Sequence, residues 1–468
     1  MTLFQTLEQY MDREAVYADR SYSYKEMLEV GDSICQEVGE RSLVFCLCAN
    51  RVESLFAYIG FLRGRVVPVL LDADIPVDQL QKLMELYQPT HVWAPKTRED
   101  LANSLDAFYS YGGYALFETE TSVRHQLHEE LALLLTTSGS TGSPKLVRLT
   151  YNNLSANATS IIDYLDIDQT DKPITTLPMN YSYGLSIINS HLLKGATLIL
   201  TDRSIVQKEF WELCRAEQAT TFGGVPFHYE MLKRLKFETY DLPSLKKLTQ
   251  AGGKLDPKLA QHFATVCEEK GIQFFIMYGQ TEATARMSYL PDRMHAKKAG
   301  SIGIAIPGGS LTLRDEAGND IKEANVTGEL VYQGDNVSFG YATSLADLSK
   351  GDDNHGVLQT GDMAYRDEDG YFFIVGRIKR MIKLYGSRIS LDEVEALLRE
   401  HGHDCVCAGE DDQLYVYTLQ DDVARIQKII KEQIKVKGVR VMQIDEIPRN
   451  AFGKIRYAAL PKRELVTT

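Results

Sequence analysis

The chain has 468 residues, of which 44% are hydrophobic and 25% charged, a composition typical of a globular protein built from two or three packed units. Its 51 basic and 64 acidic residues give a formal net charge of −13, which argues against nucleic-acid and anionic-membrane partners. No apolar stretch is long enough to span a bilayer, the N-terminus carries no secretory signal pattern, and the seven cysteines form no metal or disulfide frame; we expect a cytoplasmic protein.

The first 130 residues alternate between helical and strand patterns. Helical spacing of apolar residues covers 24–38, 51–64 and 76–87, and the buried-strand runs SLVFCLC and VVPVLLD lie between these segments. This βαβα alternation predicts a parallel sheet with helices on its faces. The alternation recurs from residue 131 to about residue 280, with strands predicted at LALLLTT, ATLILT, ATTFGGV, KKLTQAG and QFFIMYG.

The pattern changes after residue 300. Gly- and Asp-rich turns separate the short runs SLTLRD, GELVYQG and YFFIVG, which predicts antiparallel structure. The last 90 or so residues contain two helical patterns, LDEVEALLREH and VARIQKIIKEQIKV, and intervening strands. They are sufficient for a small α+β domain.

A hydroxyl- and glycine-rich segment, TTSGSTGSPK, follows the first of these later strands and ends at Lys145. Glycine lets successive backbone amides converge on an anion, so such a loop can bind phosphate oxygens. The spacing is not that of a Walker A loop. A solvated Ser/Gly loop is the alternative, and the preceding strand and the final lysine favour the phosphate loop.

Three further segments carry candidate chemistry. YGQTEAT (278–284) follows an apolar strand, and its Glu282 is a candidate Mg²⁺ ligand, although a helix capping box explains the same residues. A hairpin would bring Asp362 of TGD close to Arg377, for which a surface ion pair is the alternative. Lys454, in PRNAFGKIR, could reach a developing negative charge or simply be solvated.

Six segments in this order resemble the adenylate-forming, AMP-binding superfamily of acyl- and aryl-CoA synthetases, carrier-protein adenylation domains and luciferases. TTSGSTGSPK resembles its phosphate loop, AGGK (251–254) its adenine-site turn and YGQTEAT its signature motif. TGD resembles its ribose-binding element, GRIKRMIKLYGSRISLDEVE its hinge and hairpin, and PRNAFGKI its catalytic-lysine motif. The resemblance runs from about residue 20 to the end of the chain.

The resemblance implies an α/β fold with two domains. A large N-terminal AMP-binding domain (1–377) would contain stacked mixed and parallel sheets with helices, and within it a small antiparallel β-rich region (300–377). A hinge at 378–380 would precede a small, mobile C-terminal α+β domain (381–468) that carries the catalytic lysine. Many relatives have Asp at the hinge position occupied here by Lys379, and others have Lys.

The resemblance also implies a role for each matching residue. Lys454, Thr281 and Glu282 would be catalytic, with Glu282 binding Mg²⁺. ATP would be held by the phosphate loop, the adenine-site turn and signature motif, and the ribose element: Thr137, Ser138, Gly139, Ser140, Thr141, Gly142, Lys145, Gly252, Gly253, Lys254, Tyr278, Gly279, Asp362 and Arg377. A hairpin with Lys383 and Gly386 would replace Lys454 in the thiol step.

The substrate pocket of the family begins in MNYSYGLS (179–186). Relatives that activate α-amino acids place Asp where Ser182 aligns, because a buried ammonium needs a counter-charge. We therefore expect an acid without an α-amino group: fatty, aryl or a substituted short acid. The pocket candidates are Tyr181, Ser182, Tyr183, Ser186, Phe227, Ala251, Met277 and Arg286. Arg286 has two interpretations, a contact to a second polar group of the substrate and a salt bridge to the scaffold.

The expected reaction is ATP-dependent formation of an acyl-AMP, followed by transfer of the acyl group to the thiol of CoA or of a carrier protein's phosphopantetheine. The carrier protein would act in trans. Two other functions stay open: an amino-acid adenylation enzyme that loads a carrier in trans, and a degenerate binding relative. The sequence contains no indication of the oligomeric state.

Overall fold

The computed structural model describes residues 4–121, 125–136, 145–384, 387–410, 412–434, 439–449 and 455–461. Contacts divide the chain into two compact units. The first unit comprises residues 1–138, 143–310 and 332–358, and the second comprises 139–142, 311–331 and 359–468. The predicted domain boundary at residue 377 and the hinge at 378–380 stay predictions.

The first unit contains two large sheets. The eight-stranded sheet has the spatial order Tyr341–Ala342, Leu146–Thr150, Leu131–Thr136, Val67–Asp72, Leu43–Cys48, His91–Pro95, Tyr114–Glu118 and Asp106–Tyr111. The nine-stranded sheet has the order Ile304–Ala305, Ser288–Leu290, Gln273–Tyr278, Lys247–Gln250, Thr221–Gly224, Pro173–Ile174, Leu198–Ile199, Glu14–Tyr17 and Ser21–Ser23. The central strands of both sheets are parallel.

The α-helices of the first unit connect these strands. They are Tyr24–Gln36, Val52–Arg63, Val77–Tyr87, Glu99–Ala102, Tyr151–Leu165, Ser182–Leu193, Lys208–Ala216, Pro226–Arg234 and Pro257–Lys270. Side chains of Ser23, Thr150 and Asp256 accept hydrogen bonds from backbone amides of the first helical turn and so fix three of the helix starts.

Apolar side chains fill both faces of the two sheets. The largest core joins both sheets through helices Tyr24–Gln36, Val52–Arg63 and Ser182–Leu193. A second core covers the outer face of the nine-stranded sheet, and a third covers that of the eight-stranded sheet. Because burial removes apolar surface from water, these layers hold the strand ends that carry the candidate site in a fixed arrangement.

The second unit contains most of a four-stranded sheet and the C-terminal segment. The sheet has the order Gly309–Arg314, Gly328–Gly334, Val357–Arg366 and Phe372–Arg377. The C-terminal segment has the hairpin Met381–Leu384 and Ser387–Ser390, the sheet Cys405–Glu410, Gln413–Thr418 and Val439–Gln443, and helices Leu391–Glu400 and Val423–Ile429. An apolar core of its own lies between these elements.

The predicted α/β fold class with a C-terminal α+β region is confirmed. The predicted run ATLILT forms a strand only at Leu198–Ile199, and the last helical pattern changes to a π-helix at Ile430–Ile434. All seven cysteines are buried and free. Among the described residues, no helix combines the length and the apolar character needed to cross a membrane.

Candidate active site

Two of the predicted motifs lie side by side at one edge of the nine-stranded sheet. Strands Lys247–Gln250 and Gln273–Tyr278 are parallel neighbours, with Gln250 opposite Ile276. Their carboxyl ends lead into the glycine turn, Ala251–Lys254, and the carboxylate turn, Tyr278–Thr284. Because carboxyl ends of parallel strands share an edge, the chemistry of both motifs is concentrated there.

The glycine turn requires glycine at Gly252. This residue has φ of 82°, and a Cβ atom there would lie 2.3 Å from the Tyr181 hydroxyl oxygen. The buried Gln250 side chain donates hydrogen bonds of 3.1 and 2.9 Å to the carbonyl oxygens of Ala251 and Gly253. These hydrogen bonds therefore fix the backbone of the turn, while the Lys254 side chain is exposed.

The carboxylate turn bends back onto its own start. A Cβ atom at Gly279 would lie 1.6 Å from the Ala285 carbonyl oxygen, and Ala285 itself has φ of 106°. The buried Asn336 amide donates to the carbonyl oxygens of Ala283 at 2.7 Å and Arg286 at 3.0 Å. Such strained backbone persists where its surroundings over-determine it, and Asn336 supplies part of that constraint.

The two catalytic candidates of this turn have different partners. The Thr281 hydroxyl lies 3.2 Å from the hydroxyl of Ser182, the first residue of helix Ser182–Leu193. The Glu282 carboxylate accepts a hydrogen bond from the Tyr341 hydroxyl, and its backbone carbonyl accepts one of 2.8 Å from the Ser338 amide. Burial and Glu282 raise the pKa of Tyr341, which therefore remains a phenol donor at neutral pH.

Tyr341 also contacts the lysine that ends the phosphate loop. The Lys145 ammonium nitrogen lies 3.8 Å from the centroid of the Tyr341 ring, a cation–π geometry. Strand Tyr341–Ala342 pairs with strand Leu146–Thr150, so Tyr341 lies opposite Val147. Tyr341 thus contacts Lys145 with its ring and the Glu282 carboxylate with its hydroxyl.

Four of the eight predicted pocket residues belong to one buried cluster or pack against it. Tyr183, Ala251 and Met277 pack together with Val225 and Phe275, and Tyr181 lies at its margin. The buried Ser186 donates a hydrogen bond of 2.7 Å to the Tyr183 carbonyl oxygen. These residues form an apolar, aromatic cluster that includes Ala251 of the glycine turn and Met277, the residue before the carboxylate turn.

Two pocket candidates differ from this group. Phe227 is 43% exposed on helix Pro226–Arg234 and is not a member of the cluster. Arg286 is 1% exposed, and its guanidinium lies 4.8 Å from the centroid of the Tyr183 ring. Its hydrogen bonds go to Ser186 at 3.2 Å, Tyr164 at 2.9 Å and the Met277 sulfur at 2.8 Å.

The predicted hairpin between TGD and GR is confirmed. Strands Val357–Arg366 and Phe372–Arg377 are antiparallel, and Asp362 lies directly opposite Arg377. Arg377 Nε is 3.0 Å from an Asp362 carboxylate oxygen; the Asp362 side chain is 3% exposed and that of Arg377 is 64% exposed. A buried carboxylate beside an exposed guanidinium differs from the surface ion pair that was the alternative.

Ion pairs flank the predicted hinge within the second unit. Arg380 contacts Asp392 and Glu395 of helix Leu391–Glu400, each at 2.6 Å, and its guanidinium lies 4.1 Å from the Tyr457 ring centroid. Asp392 also accepts a hydrogen bond of 3.1 Å from the Arg377 amide. Lys379, between these anchored arginines, is exposed.

Several predicted site residues lie outside the described residues: Thr137, Ser138, Gly139, Ser140, Thr141, Gly142, Gly386 and Lys454. Lys383 is described and exposed on strand Met381–Leu384. The roles of all these residues stay predictions.

Sequence reasoning missed two residues that support the site. Tyr341 and Asn336 both belong to the segment DNVSFGYA, which was not selected. The sequence did contain a signal, because this segment combines polar side chains with a glycine, Gly340. The structure gives that glycine a φ of 99° and places it next to a strand. The same combination had selected the phosphate loop and the carboxylate turn.

The fold and the paired turns define the class of the protein: an adenylate-forming enzyme. The family model for AMP-binding enzymes matches residues 3–342. The chain belongs to this family, and the predicted class of enzyme, an acid–thiol ligase of the adenylate-forming kind, is confirmed.

Two relatives illustrate the sequence similarity. The chain is 30% identical to an indoleacetate–CoA ligase of Aromatoleum aromaticum over 69% of this chain and 65% of that protein. It is 28% identical to a medium-chain fatty-acid–CoA ligase of Escherichia coli over 90% of this chain and 75% of that protein. The first match therefore spans slightly less than two thirds of its relative.

Solved structures share the fold along nearly the whole chain. An O-succinylbenzoate–CoA synthetase of Bacillus subtilis in complex with AMP has a TM-score of 0.80 at 21% identity, covering 98% of both chains. The same synthetase in complex with ATP and a magnesium ion has a TM-score of 0.78 at 22% identity, covering 98% of this chain and 99% of that one.

Proposed function

We propose that this protein joins a carboxylic acid to a thiol in two steps. In the first step, a carboxylate oxygen bonds to the α-phosphorus of ATP and pyrophosphate leaves, which forms an acyl-AMP. In the second step, the thiol sulfur bonds to the acyl carbon and AMP leaves. The observation that carries this proposal is that Tyr341 contacts both Lys145 and Glu282, beside the glycine turn.

The first step brings two anions together, so the site must offset negative charge as the new bond forms. Lys145 would hold the β- and γ-phosphates, and Lys454 would contact the substrate carboxylate and the α-phosphate. Cations fixed in advance avoid reorganisation during the reaction. In comparable sites, loss of one such group costs about 2–4 kcal/mol, or roughly 10²–10³ in rate.

The remaining ATP contacts follow from the motifs. Thr281 would contact the α-phosphate, and Tyr278 would stack on the adenine beside Gly252 and Gly253. The phosphate-loop residues would hold the outer phosphates together with Lys145. Asp362, assisted by Arg377, would accept hydrogen bonds from both ribose hydroxyls; its carboxylate is buried on a paired strand and therefore held in place.

Glu282 fits a Mg²⁺ ion that is shared with ATP. Among the described residues, no group of three or more His, Cys, Asp or Glu side chains could hold a metal ion. Mg²⁺ commonly uses one or two protein carboxylates and takes its other oxygens from phosphates and water, which suits a single partly exposed glutamate. When bound, the ion would supply positive charge and orient the phosphate oxygens.

The acid is proposed to lack an α-amino group. The Ser182 hydroxyl is paired with the Thr281 hydroxyl, and a serine cannot neutralise an ammonium. The apolar and aromatic cluster of Tyr183, Ala251 and Met277 favours a fatty, aryl or substituted short acid. An amino-acid adenylation enzyme is the second candidate, and Ser182 is the residue that disfavours it.

CoA is the proposed acceptor. The relatives named above are CoA ligases, which supports CoA over a carrier protein's phosphopantetheine. The C-terminal segment would alternate between presenting Lys454 and presenting the hairpin with Lys383 and Gly386, by rotation around Lys379.

Acid-dependent exchange of labelled pyrophosphate into ATP tests this proposal. A panel of fatty, aryl, short substituted and α-amino acids would be assayed with ATP and Mg²⁺, followed by CoA and candidate carrier proteins. We expect exchange with one class of acids that lack the amino group, and thioester formation with CoA. Exchange only with α-amino acids would establish the second candidate, and no exchange with any acid would contradict both.

A further inference from the structure

Arg286 differs from the other buried cations of the first unit. Among the described residues of this unit, Arg148, Lys247 and Arg286 are buried basic side chains with exposures of 1%, 5% and 1%. Lys247 lies 3.0 Å from the Asp171 carboxylate, and Arg148 pairs with Asp353 at 2.5 Å. No carboxylate oxygen among the described residues of this unit lies within 4.0 Å of an Arg286 guanidinium nitrogen.

Every acidic residue of the first unit lies in its described part. The segments of this unit that the structure does not describe are 1–3, 122–124, 137–138 and 143–144. Their sequences, MTL, SVR, TS and SP, contain neither Asp nor Glu. The salt bridge to the scaffold, one of the two interpretations of Arg286, is therefore not found among the described residues of this unit.

Neutral groups surround the guanidinium. Its hydrogen bonds end on Ser186, Tyr164 and the Met277 sulfur, and its face lies over the Tyr183 ring. Arginine stays charged in proteins, and a buried charge is costly unless a counter-charge accompanies it. Neutral acceptors and one aromatic ring offset only part of that cost, so an anion at this position would be bound strongly.

The position of Arg286 identifies which anion could reach it. Tyr183, Ser186 and Met277 are three of the residues assigned to the acid pocket, and all three contact the Arg286 side chain. The reacting carboxylate would lie elsewhere, next to the α-phosphate that Thr281 is assigned to contact, and Thr281 is not among these hydrogen-bond partners of Arg286. A group that meets Arg286 is therefore at another position on the same substrate.

We propose that the acid substrate is a dicarboxylic acid whose second carboxylate pairs with Arg286. This inference rests on the proposed function and narrows its substrate class. The Tyr183 ring and the Tyr164 and Ser186 hydroxyls hold the guanidinium in place before the substrate binds. Arg286 then selects against acids that end in an alkyl or aryl group, because these leave its charge without a partner.

Pyrophosphate exchange with matched pairs of acids tests the inference on the unmodified protein. Hexanoate would be compared with adipate, and phenylacetate with carboxyphenylacetate, so that each pair differs by one carboxylate. We expect kcat/KM for a diacid to exceed that for its partner by about 100-fold or more, since removal of a charged partner from a buried polar site is costly. Higher kcat/KM for the monoacids would overturn the inference and leave the proposed function intact.

Substitution of Arg286 supplies the second test. Arg286→Met removes the charge with similar side-chain volume, and we expect it to bring the ratio of kcat/KM for the diacid to kcat/KM for the monoacid down to about one. Arg286→Lys retains a cation and should preserve the preference at reduced kcat/KM. Arg215→Met, on the exposed face of helix Lys208–Ala216, is the matched control.

The outcomes of these tests are distinct. A diacid preference that persists in Arg286→Met would overturn the role of Arg286. A stronger response to the corresponding hydroxy or keto acid than to the diacid would overturn the proposed charge. No exchange with either member of any pair or with any acid of the wider panel, in the presence of Mg²⁺ and ATP, would overturn the proposed function itself, and the inference with it.

Discussion

Tyr341 is the residue that connects the phosphate-loop lysine with the signature carboxylate. Its ring lies under the Lys145 ammonium group, and its hydroxyl donates to Glu282. A hydrogen bond to a metal-binding carboxylate orients that ligand, and loss of such partners commonly costs about 10–100-fold in metal affinity. We therefore assign Tyr341 a positioning role, since neither contact is to the reacting atoms.

Two substitutions separate the two contacts of Tyr341. Tyr341→Phe keeps the ring beside Lys145 and removes the hydroxyl, so the Mg²⁺ concentration for half-maximal exchange should rise about tenfold, with little change in KM for ATP. Tyr341→Leu removes both contacts and should raise KM for ATP as well. A Mg²⁺ titration of the Phe variant that superimposes on that of the unmodified protein would contradict the role of the hydroxyl.

Single residues also mark the limit of what the sequence could predict about the site. The motif residues Thr281 and Glu282 were selected because a glycine turn after a buried strand marks them, and Asp362 was selected because a hairpin would bring it close to Arg377. The contact between Glu282 and Tyr341 joins residues 59 positions apart, and the isolation of Arg286 depends on where every acidic side chain lies. Phe227 was assigned to the pocket from alignment, yet its helix directs it to solvent.

At the scale of elements, strand and helix predictions succeeded where burial is uniform. The run LVFCLC is buried at all six positions, and such runs predict central parallel strands. The sequence analysis did not identify the edge strand Asp106–Tyr111, which is exposed at four of its six positions and buried at none, because its stability comes from pairing with Tyr114–Glu118. ATLILT is shortened to two strand residues because apolar composition does not specify hydrogen-bond partners.

Helix Ser182–Leu193, which begins at the site, also contains a buried titratable group. Burial, Lys247 and Arg286 lower the pKa of His191 to about 4, whereas the Ile187 carbonyl and Asp171 oppose that shift. The Ile187 carbonyl oxygen lies 2.8 Å from His191 Nδ1. The neutral imidazole is therefore the form that the folded protein stabilises.

This shift predicts how stability depends on pH. The unfolded chain, with a histidine pKa of about 6.5, binds the proton more readily than the folded chain does. The contribution of His191 is therefore complete above about pH 6.5 and is lost as the pH falls towards 4. We expect His191→Leu to reduce the slope of unfolding free energy against pH in this range.

Urea unfolding followed by tryptophan fluorescence measures this slope, since both tryptophans, Trp93 and Trp211, lie in the first unit. His355→Asn is the matched control, because His355 is exposed and has φ of 51°, a conformation that asparagine tolerates. A slope for His191→Leu equal to that of the unmodified protein would show that His191 does not titrate in this way.

At the scale of the whole molecule, the account requires one site to serve two reactions. Within the second unit, Arg380 is anchored to Asp392 and Glu395, Arg377 is anchored to Asp362, and Lys379 lies between them. A short exposed segment between two anchored residues is suited to act as a hinge. The hinge and the role of Lys454 remain proposals based on the motifs.

Lys454→Ala separates the two half-reactions. Its removal should reduce acid-dependent pyrophosphate exchange by about 10²–10³ and spare thioester formation from CoA and a preformed acyl-AMP. Lys428→Ala, at a lysine whose side chain is 73% exposed, is the control. Equal losses in both half-reactions would contradict alternation.

The central claim is that the acid carboxylate attacks the α-phosphorus of ATP. The most direct test uses a substrate acid labelled with ¹⁸O in both carboxylate oxygens and analyses the products by mass spectrometry after a turnover with ATP, Mg²⁺ and CoA. Our account predicts one labelled oxygen in AMP and one in the thioester carbonyl, with none in pyrophosphate. Formation of ADP and labelled inorganic phosphate would show attack at the γ-phosphorus and would contradict the account.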